Sequence, residues 1–453
     1  MPFAKRSQTR VLAAPLAPLS APMVALAFIV VKNNRISYRR FSQMERTKFF
    51  CIFPSSKKTH FRIKNKKETA TLMAFLGTSR MILAVLKYAS MKEENEILLL
   101  KGNEAIAHAA IRCGCDGYFG YPITPQSEVL ETLAELKPWE TTGMVVLQAE
   151  SEVASINMLY GGGGSGKRVM TSSSSPGVAL MQEGISYMAG AEVPGLIVNV
   201  QRGGPGLGTI QPSQSDYNQA TRGGGNGDYN VIVLAPASVQ EMADFVDLAF
   251  TLAFRYRNPV MILSDGVIGQ MMEKVVLPPF KPRRTEEEIV KECPWAANGH
   301  GLKQRGPHVI TSLELDPAKM EAKNLHLQEK YQAVKDNEVR FEEIQTEDAE
   351  YIIVAFGSAA RISQKAMETA RKQGLKVGLF RPITLWPFPE KEINALAKRV
   401  KGILVVEINA GQMIFDVKYA AADANIPIEH YGRLGGIVPD PDEIIEALRK
   451  LEK

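Results

Sequence analysis

From residue 97 onward, short runs rich in valine, isoleucine and leucine alternate with segments of helical length. The apolar runs fall at 97–100, 144–148, 168–171, 195–200, 229–235 and 259–263. Between several of them lie helix-length segments at 104–112, 126–136, 152–160 and 238–254. Such alternation predicts a largely parallel sheet flanked by helices. The pattern repeats from Tyr351, with strands expected at 351–356, 376–380, 402–407 and 428–431 and helices at 361–372, 389–400, 412–422 and 440–451. The fold class read from this is α/β, with two doubly wound, mostly parallel-sheet domains.

The intervening residues 276–348 open with Pro278-Pro279 and Pro282 and contain Asn298-Gly299 and Gly306-Pro307, which reads as a loop-rich connection. Charged residues from 316 to 343 then read as a solvated helix. The first 90 residues follow neither pattern. An uncharged run at 11–31 follows Lys5, Arg6 and Arg10 and mimics a secretory signal. Pro15, Pro18 and Pro22 interrupt it, and they equally spoil it as a membrane helix. Residues 32–90 carry no sustained period. Composition changes at Met91-Lys92-Glu93-Glu94. Residues 1–90 are therefore expected to be a basic leader that either precedes the true start or lacks folded structure, with a transit or anchor segment as the functional alternative. The expected domains are 91–275 and 349–453, joined by 276–348.

Charge changes the picture once it is divided along the chain. The 453 residues carry a formal net charge of +5, yet residues 1–90 hold 17 Lys and Arg against 2 acidic residues, leaving 37 basic and 47 acidic residues in the body. An acidic body removes the case for nucleic-acid binding, which needs clustered Lys and Arg. Four cysteines, Cys51, Cys113, Cys115 and Cys293, are too few for a disulfide framework in a chain of this size, which points to a reducing, cytoplasmic compartment. Cys113-Gly114-Cys115 supplies two thiols where a tetrahedral metal or a four-iron cluster needs four ligands, so no metal site is expected in this chain.

Several segments carry candidate chemistry. Gly161 to Lys167 matches the spacing of a phosphate loop, but Arg168 stands where a hydroxyl is needed, and the segment joins a helix to a strand rather than a strand to a helix. A plain turn is expected there; a nucleotide-binding protein built on it is the distant alternative. Gly203-Gly204-Pro205-Gly206-Leu207-Gly208 fails dinucleotide-fingerprint spacing and reads as loop backbone able to approach a ligand. Most informative are Tyr121-Pro122-Ile123-Thr124-Pro125, Gln148-Ala149-Glu150-Ser151-Glu152-Val153-Ala154 and Thr171-Ser172-Ser173-Ser174-Ser175-Pro176-Gly177. In a parallel sheet, turns of this kind fall at the carboxyl ends of strands, where cofactors bind. By itself Glu152 reads as a first-turn acid favoured by the helix dipole, with Ser151 as cap.

The order and wording of these three segments, with the runs 170–187 and 202–217, resemble the α-type subunits of the 2-oxoacid:ferredoxin oxidoreductases, and most closely the branched-chain (3-methyl-2-oxobutanoate) type. The resemblance spans about Glu96 to the C-terminus. It implies a thiamine-diphosphate pyrimidine-type domain followed by a transketolase-C-terminal-like domain. It further implies that Glu152 bonds N1′ of the aminopyrimidine and promotes loss of the C2 proton, with Glu150 as fallback. Pro122, Ile123 and Thr124 would contact cofactor, Thr124 would also meet the substrate carboxylate, and Arg202 would clamp that carboxylate bidentately, a surface arginine being the plain alternative.

The family's Gly-Asp-Gly and Asn-Asn diphosphate motif is reduced here to Ser264-Asp265-Gly266. The resemblance therefore places thiamine diphosphate between this chain and a partner, with Mg²⁺ and [4Fe-4S] clusters in partner subunits: a diphosphate-binding subunit, a γ-type subunit and a ferredoxin-like iron–sulfur subunit. Coenzyme A would be co-substrate, ferredoxin the acceptor, and neither nucleic acid nor membrane a partner. A 2-oxoglutarate or pyruvate enzyme is the alternative within the family, and a non-catalytic structural subunit the alternative outside it. Arg433-Leu434-Gly435-Gly436 has no assigned role.

Overall fold

The structure, a computed structural model, describes residues 96–299 and 306–452, together with the backbone of 10–15, 26–32 and 35–40. The chain divides into Met1–Glu93 and Glu94–Lys453. In the first unit, β1 (Arg10–Pro15), β2 (Leu26–Lys32) and β3 (Arg35–Arg40) form an antiparallel sheet. The rest of the expected leader lies outside the described residues.

In the second unit, β5 (Gly117–Gly120), β6 (Val145–Gln148), β7 (Val169–Ser173), β8 (Gly195–Gln201), β9 (Ile232–Leu234) and β10 (Pro259–Asp265) build a parallel sheet in the order β6-β5-β7-β8-β10-β9. Every residue of β7, β8 and β10 is buried, as near-continuous apolar strands covered on both faces should be. Helices Gly102–Arg112 and Val239–Tyr256 pack together, as do Glu152–Gly164 and Ser175–Gly190. Ser151 and Ser238 cap two of these helices through their side chains.

β4 (Ile97–Lys101) departs from the expected parallel sheet, because it pairs antiparallel with β11 (Met272–Val276) in a separate two-stranded ribbon. Helix Glu152–Gly164 also runs through the four glycines expected to form a turn, so the turn proper begins at Ser165.

A second sheet has the order β12-β14-β13-β16-β17, from β12 (Phe341–Ile344), β13 (Tyr351–Ala355), β14 (Val377–Pro382), β16 (Gly402–Glu407) and β17 (Ile428–Gly432). It is parallel except for the edge strand β12. The two sheets exchange chain. β12 comes from the segment expected to be connection, and β15 (Thr384–Trp386), which follows β14 in sequence, adds antiparallel to β9 of the first sheet. Gln214, fully buried, ties the two further: its N–H donates to the Ile408 carbonyl at 2.9 Å and its Nε2 to the Phe356 carbonyl at 2.8 Å. One apolar cluster accordingly runs from Ile106 through Val198 to Val405. Among the described residues no helix is long and apolar enough to cross a membrane.

Candidate active site

The loops that follow β5, β6, β7 and β8 at their carboxyl ends are linked to one another. Arg202, directly after β8, donates from Nη1 to the Thr124 carbonyl at 2.9 Å. Its backbone N–H donates to the Ser175 hydroxyl at 3.0 Å, and that hydroxyl donates back to the Arg202 carbonyl at 3.2 Å. Two residues on, Gly177 abuts the carboxylate of Glu152.

Glu152 opens its helix because Ser151, extended in backbone, accepts the Ala154 N–H on its Oγ at 3.2 Å. The residue is 6% exposed, and among the described residues no hydrogen bond or ion pair to its carboxylate occurs. A carboxylate left without a protein donor can accept a hydrogen bond from a ligand. Glu150, by contrast, is exposed and accepts from the Ser151 hydroxyl at 2.9 Å, so the carboxylate held inside the site is that of Glu152. Ser174 Oγ, at the cap of helix Ser175–Gly190, is buried without a partner. A carboxylate without a protein partner at the carboxyl end of a parallel sheet fits a ligand carrying a protonatable ring nitrogen, such as the aminopyrimidine of thiamine diphosphate.

Thr124 is exposed, and its hydroxyl has no protein partner among the described residues; Pro122 and Ile123 beside it are half-buried. The turn is held from below. Gln126, fully buried, donates from Nε2 to the Tyr121 carbonyl at 3.0 Å and accepts the Ser172 hydroxyl at 2.6 Å, with Tyr118 Oη 2.7 Å from that same hydroxyl. Asn103 Nδ2 and Gln270 Nε2 both donate to the Pro125 carbonyl, at 2.6 and 2.9 Å.

Arg202 lies deeper than a carboxylate clamp would. It is 6% exposed, and Nη1 and Nη2 already donate to the carbonyls of Thr124 and Leu207, the latter at 3.0 Å. Its Nε is buried without a partner. The guanidinium thus fastens the Thr124 turn to the glycine loop 203–208. That loop packs in turn on Gly435 and Gly436, while Arg433 is paired with Glu443.

Asp265, the remnant of the diphosphate motif, is fully buried and committed. Oδ1 accepts the N–H groups of Val267 and Ile268, and Oδ2 accepts the Ser358 hydroxyl at 2.6 Å, so one carboxylate joins the starts of helices Gly266–Gln270 and Gly357–Lys372. Cys113 and Cys115 are buried; desolvation pushes the Cys113 thiol up to about 12 and Cys115 higher still. Cys51 lies outside the described residues. Sequence reasoning placed Ser175 and Gly177 in a turn at the cofactor end of the sheet but gave them no role, and it missed Gln126. The Ser-Pro-Gly triplet reads as a turn, and only the fold reveals that it opens a helix against Glu152.

Two family profiles match consecutive parts of the chain: pyruvate flavodoxin/ferredoxin oxidoreductase, thiamine diphosphate binding, over residues 108–345, and pyruvate:ferredoxin oxidoreductase core domain II over 349–444. The chain is 48% identical over 356 residues to ketoisovalerate oxidoreductase subunit VorB of Methanothermobacter marburgensis, covering 78% of this chain and 97% of that one. It is 37% identical over 378 residues to 2-oxoglutarate synthase subunit KorA of Methanothermobacter thermautotrophicus, covering 79% and 100%. Among solved structures it is similar to the 2-oxoglutarate:ferredoxin oxidoreductase of Magnetococcus marinus, determined with 2-oxoglutarate, coenzyme A and succinyl-CoA bound. There the TM-score is 0.69 at 29% identity, covering 80% of this chain and 66% of that one. With both profiles in sequence order, near-complete coverage of the subunit-length relatives and a buried, unpartnered glutamate at the mouth of the parallel sheet, the chain belongs to the 2-oxoacid:ferredoxin oxidoreductase family.

Proposed function

We propose that this chain supplies the aminopyrimidine-facing half of a thiamine diphosphate site in an enzyme that converts a branched-chain 2-oxoacid, 3-methyl-2-oxobutanoate, and coenzyme A to acyl-CoA and CO₂. Two electrons pass to ferredoxin. The observation that carries the reading is the carboxylate of Glu152, a residue 6% exposed, with no protein partner among the described residues. Bound thiamine diphosphate supplies the nucleophilic carbon for the keto group and a sink for the electrons left when CO₂ departs. Glu152 would hold a proton at N1′ of the aminopyrimidine. Pro122 and Ile123 would line the ring, Thr124 would donate its hydroxyl to the substrate carboxylate, and Arg202 positions Thr124 through its hydrogen bond to the Thr124 carbonyl. Residues 91–275 act as the pyrimidine-type domain and 349–453 as the transketolase-C-terminal-like domain, with 276–348 between them.

Because Asp265 is bound into two helix starts, the diphosphate and its Mg²⁺ belong to a partner subunit, and the [4Fe-4S] clusters to a ferredoxin-like subunit, with a γ-type subunit completing a cytoplasmic assembly. Identity to VorB subunits, 48% and 46%, against 37% to KorA supports the branched acid. The test is thiamine-diphosphate-dependent reduction of a viologen by the co-assembled complex with 3-methyl-2-oxobutanoate, 2-oxoglutarate or pyruvate, each with coenzyme A. The branched acid is expected to react fastest. Preference for 2-oxoglutarate would overturn the substrate assignment. No reduction with any acid, by a cluster-loaded complex, would make this a structural subunit.

A further inference from the structure

Gly177 stands in the first turn of helix Ser175–Gly190, where alanine would ordinarily be the better residue. Its backbone is not in the left-handed region, so conformation does not demand glycine. Space does. A methyl group at Gly177 would lie 2.6 Å from Oε1 and 2.8 Å from Cγ of Glu152, and closer still to the hydroxyl of Ser173. The Glu152 carboxylate therefore occupies the volume that any larger residue would fill. We infer that Gly177 is a positioning residue: its missing side chain forms the slot that fixes the Glu152 carboxylate in its reactive direction. This inference rests on Glu152 being the cofactor-facing carboxylate.

The nearest atoms a methyl would meet outside its own helix are side-chain atoms of Ser173 and Glu152, so Gly177→Ala is expected to displace those side chains, the carboxylate among them. A displacement of about 1 Å at a reacting group costs roughly 10²-fold in rate. The readout is exchange of the C2 proton of bound thiamine diphosphate with solvent deuterium in the assembled complex, alongside turnover, cofactor stoichiometry and thermal midpoint. Gly177→Ala is expected to slow exchange and kcat by about 10²-fold while KM, cofactor content and midpoint hold. In a Glu152→Gln background the same substitution is expected to add nothing, since it acts through that carboxylate. Exchange at the wild-type rate in Gly177→Ala overturns the inference, and so does an equal slowing in the Glu152→Gln background. If Gly177→Ala does not assemble, Ser173→Ala/Gly177→Ala removes the closest contact and keeps the one to Glu152; it too is expected to slow exchange, and a wild-type rate there overturns the inference. Unchanged exchange in Glu152→Gln alone defeats the reading of Glu152 itself, whereas slow exchange in Glu152→Gln with a normal rate in Gly177→Ala defeats only the role of Gly177.

Discussion

Thr124 can present a free hydroxyl because the residues beneath it are fixed, and Glu128 organises that support. Its Oε1 accepts Gln270 Nε2 at 2.8 Å and Lys101 Nζ at 3.2 Å, and its Oε2 accepts Asn103 Nδ2 at 2.9 Å; Gln270 and Asn103 are the two donors to the Pro125 carbonyl. Partial burial pushes this carboxyl up, but the donors Gln270, Asn103 and Lys101 outweigh it and hold it below the ordinary range. A folded-state pKa below the unfolded value means stabilisation that is complete above about pH 4.3 and is lost as pH falls through the folded pKa. Glu128→Gln should therefore lower the denaturation midpoint of the full chain at neutral pH, and the gap to wild type should close below about pH 4. A gap that stays constant with pH would show that the carboxylate charge contributes nothing. Of these residues the sequence exposed only the outermost. Pro122, Ile123, Thr124 and Glu152 stood out in the sequence because their wording is specific. The supporting Gln126, Asn103 and Glu128 come from three separate segments, and no local spacing announces that they meet.

The glycine run at the end of helix Glu152–Gly164 separates packing from conformation within one element. A methyl at Gly161 would meet nothing within 4 Å, whereas at Gly163 it would press on the Pro194 carbonyl and lie 2.7 Å from Val193. Helix propensity favours alanine over glycine by about 1 kcal/mol, so Gly161→Ala should stabilise by roughly 0.5–1 kcal/mol. Gly163→Ala should destabilise by about 1–3 kcal/mol, because a backbone carbonyl yields poorly. Equal effects at both positions in urea denaturation would contradict this account. The same run shows where reading by composition fails. Four consecutive glycines predict a turn, but Val169 at Gly162 and the chain at Val193 and Pro194 at Gly163 require close approach, and packing overrides propensity. Long Val/Ile/Leu runs such as β8 and β10 could be read because burial on both faces leaves a continuous signature. β5, only Gly-Tyr-Phe-Gly, is too short and glycine-rich for that, and β4 is apolar enough to pass for a central strand while pairing elsewhere.

At the scale of the molecule, the two sheets were legible as separate repeats of strand and helix, but their exchange of β12 and β15 was not, because pairing partners leave no mark on a three- or four-residue strand. That exchange, the Gln214 contacts and the Asp265 bridge lock the second sheet against the loops that carry Arg202 and Gly203–Gly208. The carboxyl edge of the first sheet thereby carries one acid without a protein partner among the described residues, and on the proposed reading cofactor and partner subunit complete the site. The central claim is that Glu152 is that acid. It is tested most directly by measuring deuterium exchange at C2 of thiamine diphosphate bound to the assembled complex, wild type against Glu152→Gln. Loss of a positioned proton-holding group should slow exchange by about 10² to 10⁴-fold with cofactor still bound. Exchange at the wild-type rate with full cofactor occupancy would contradict the account.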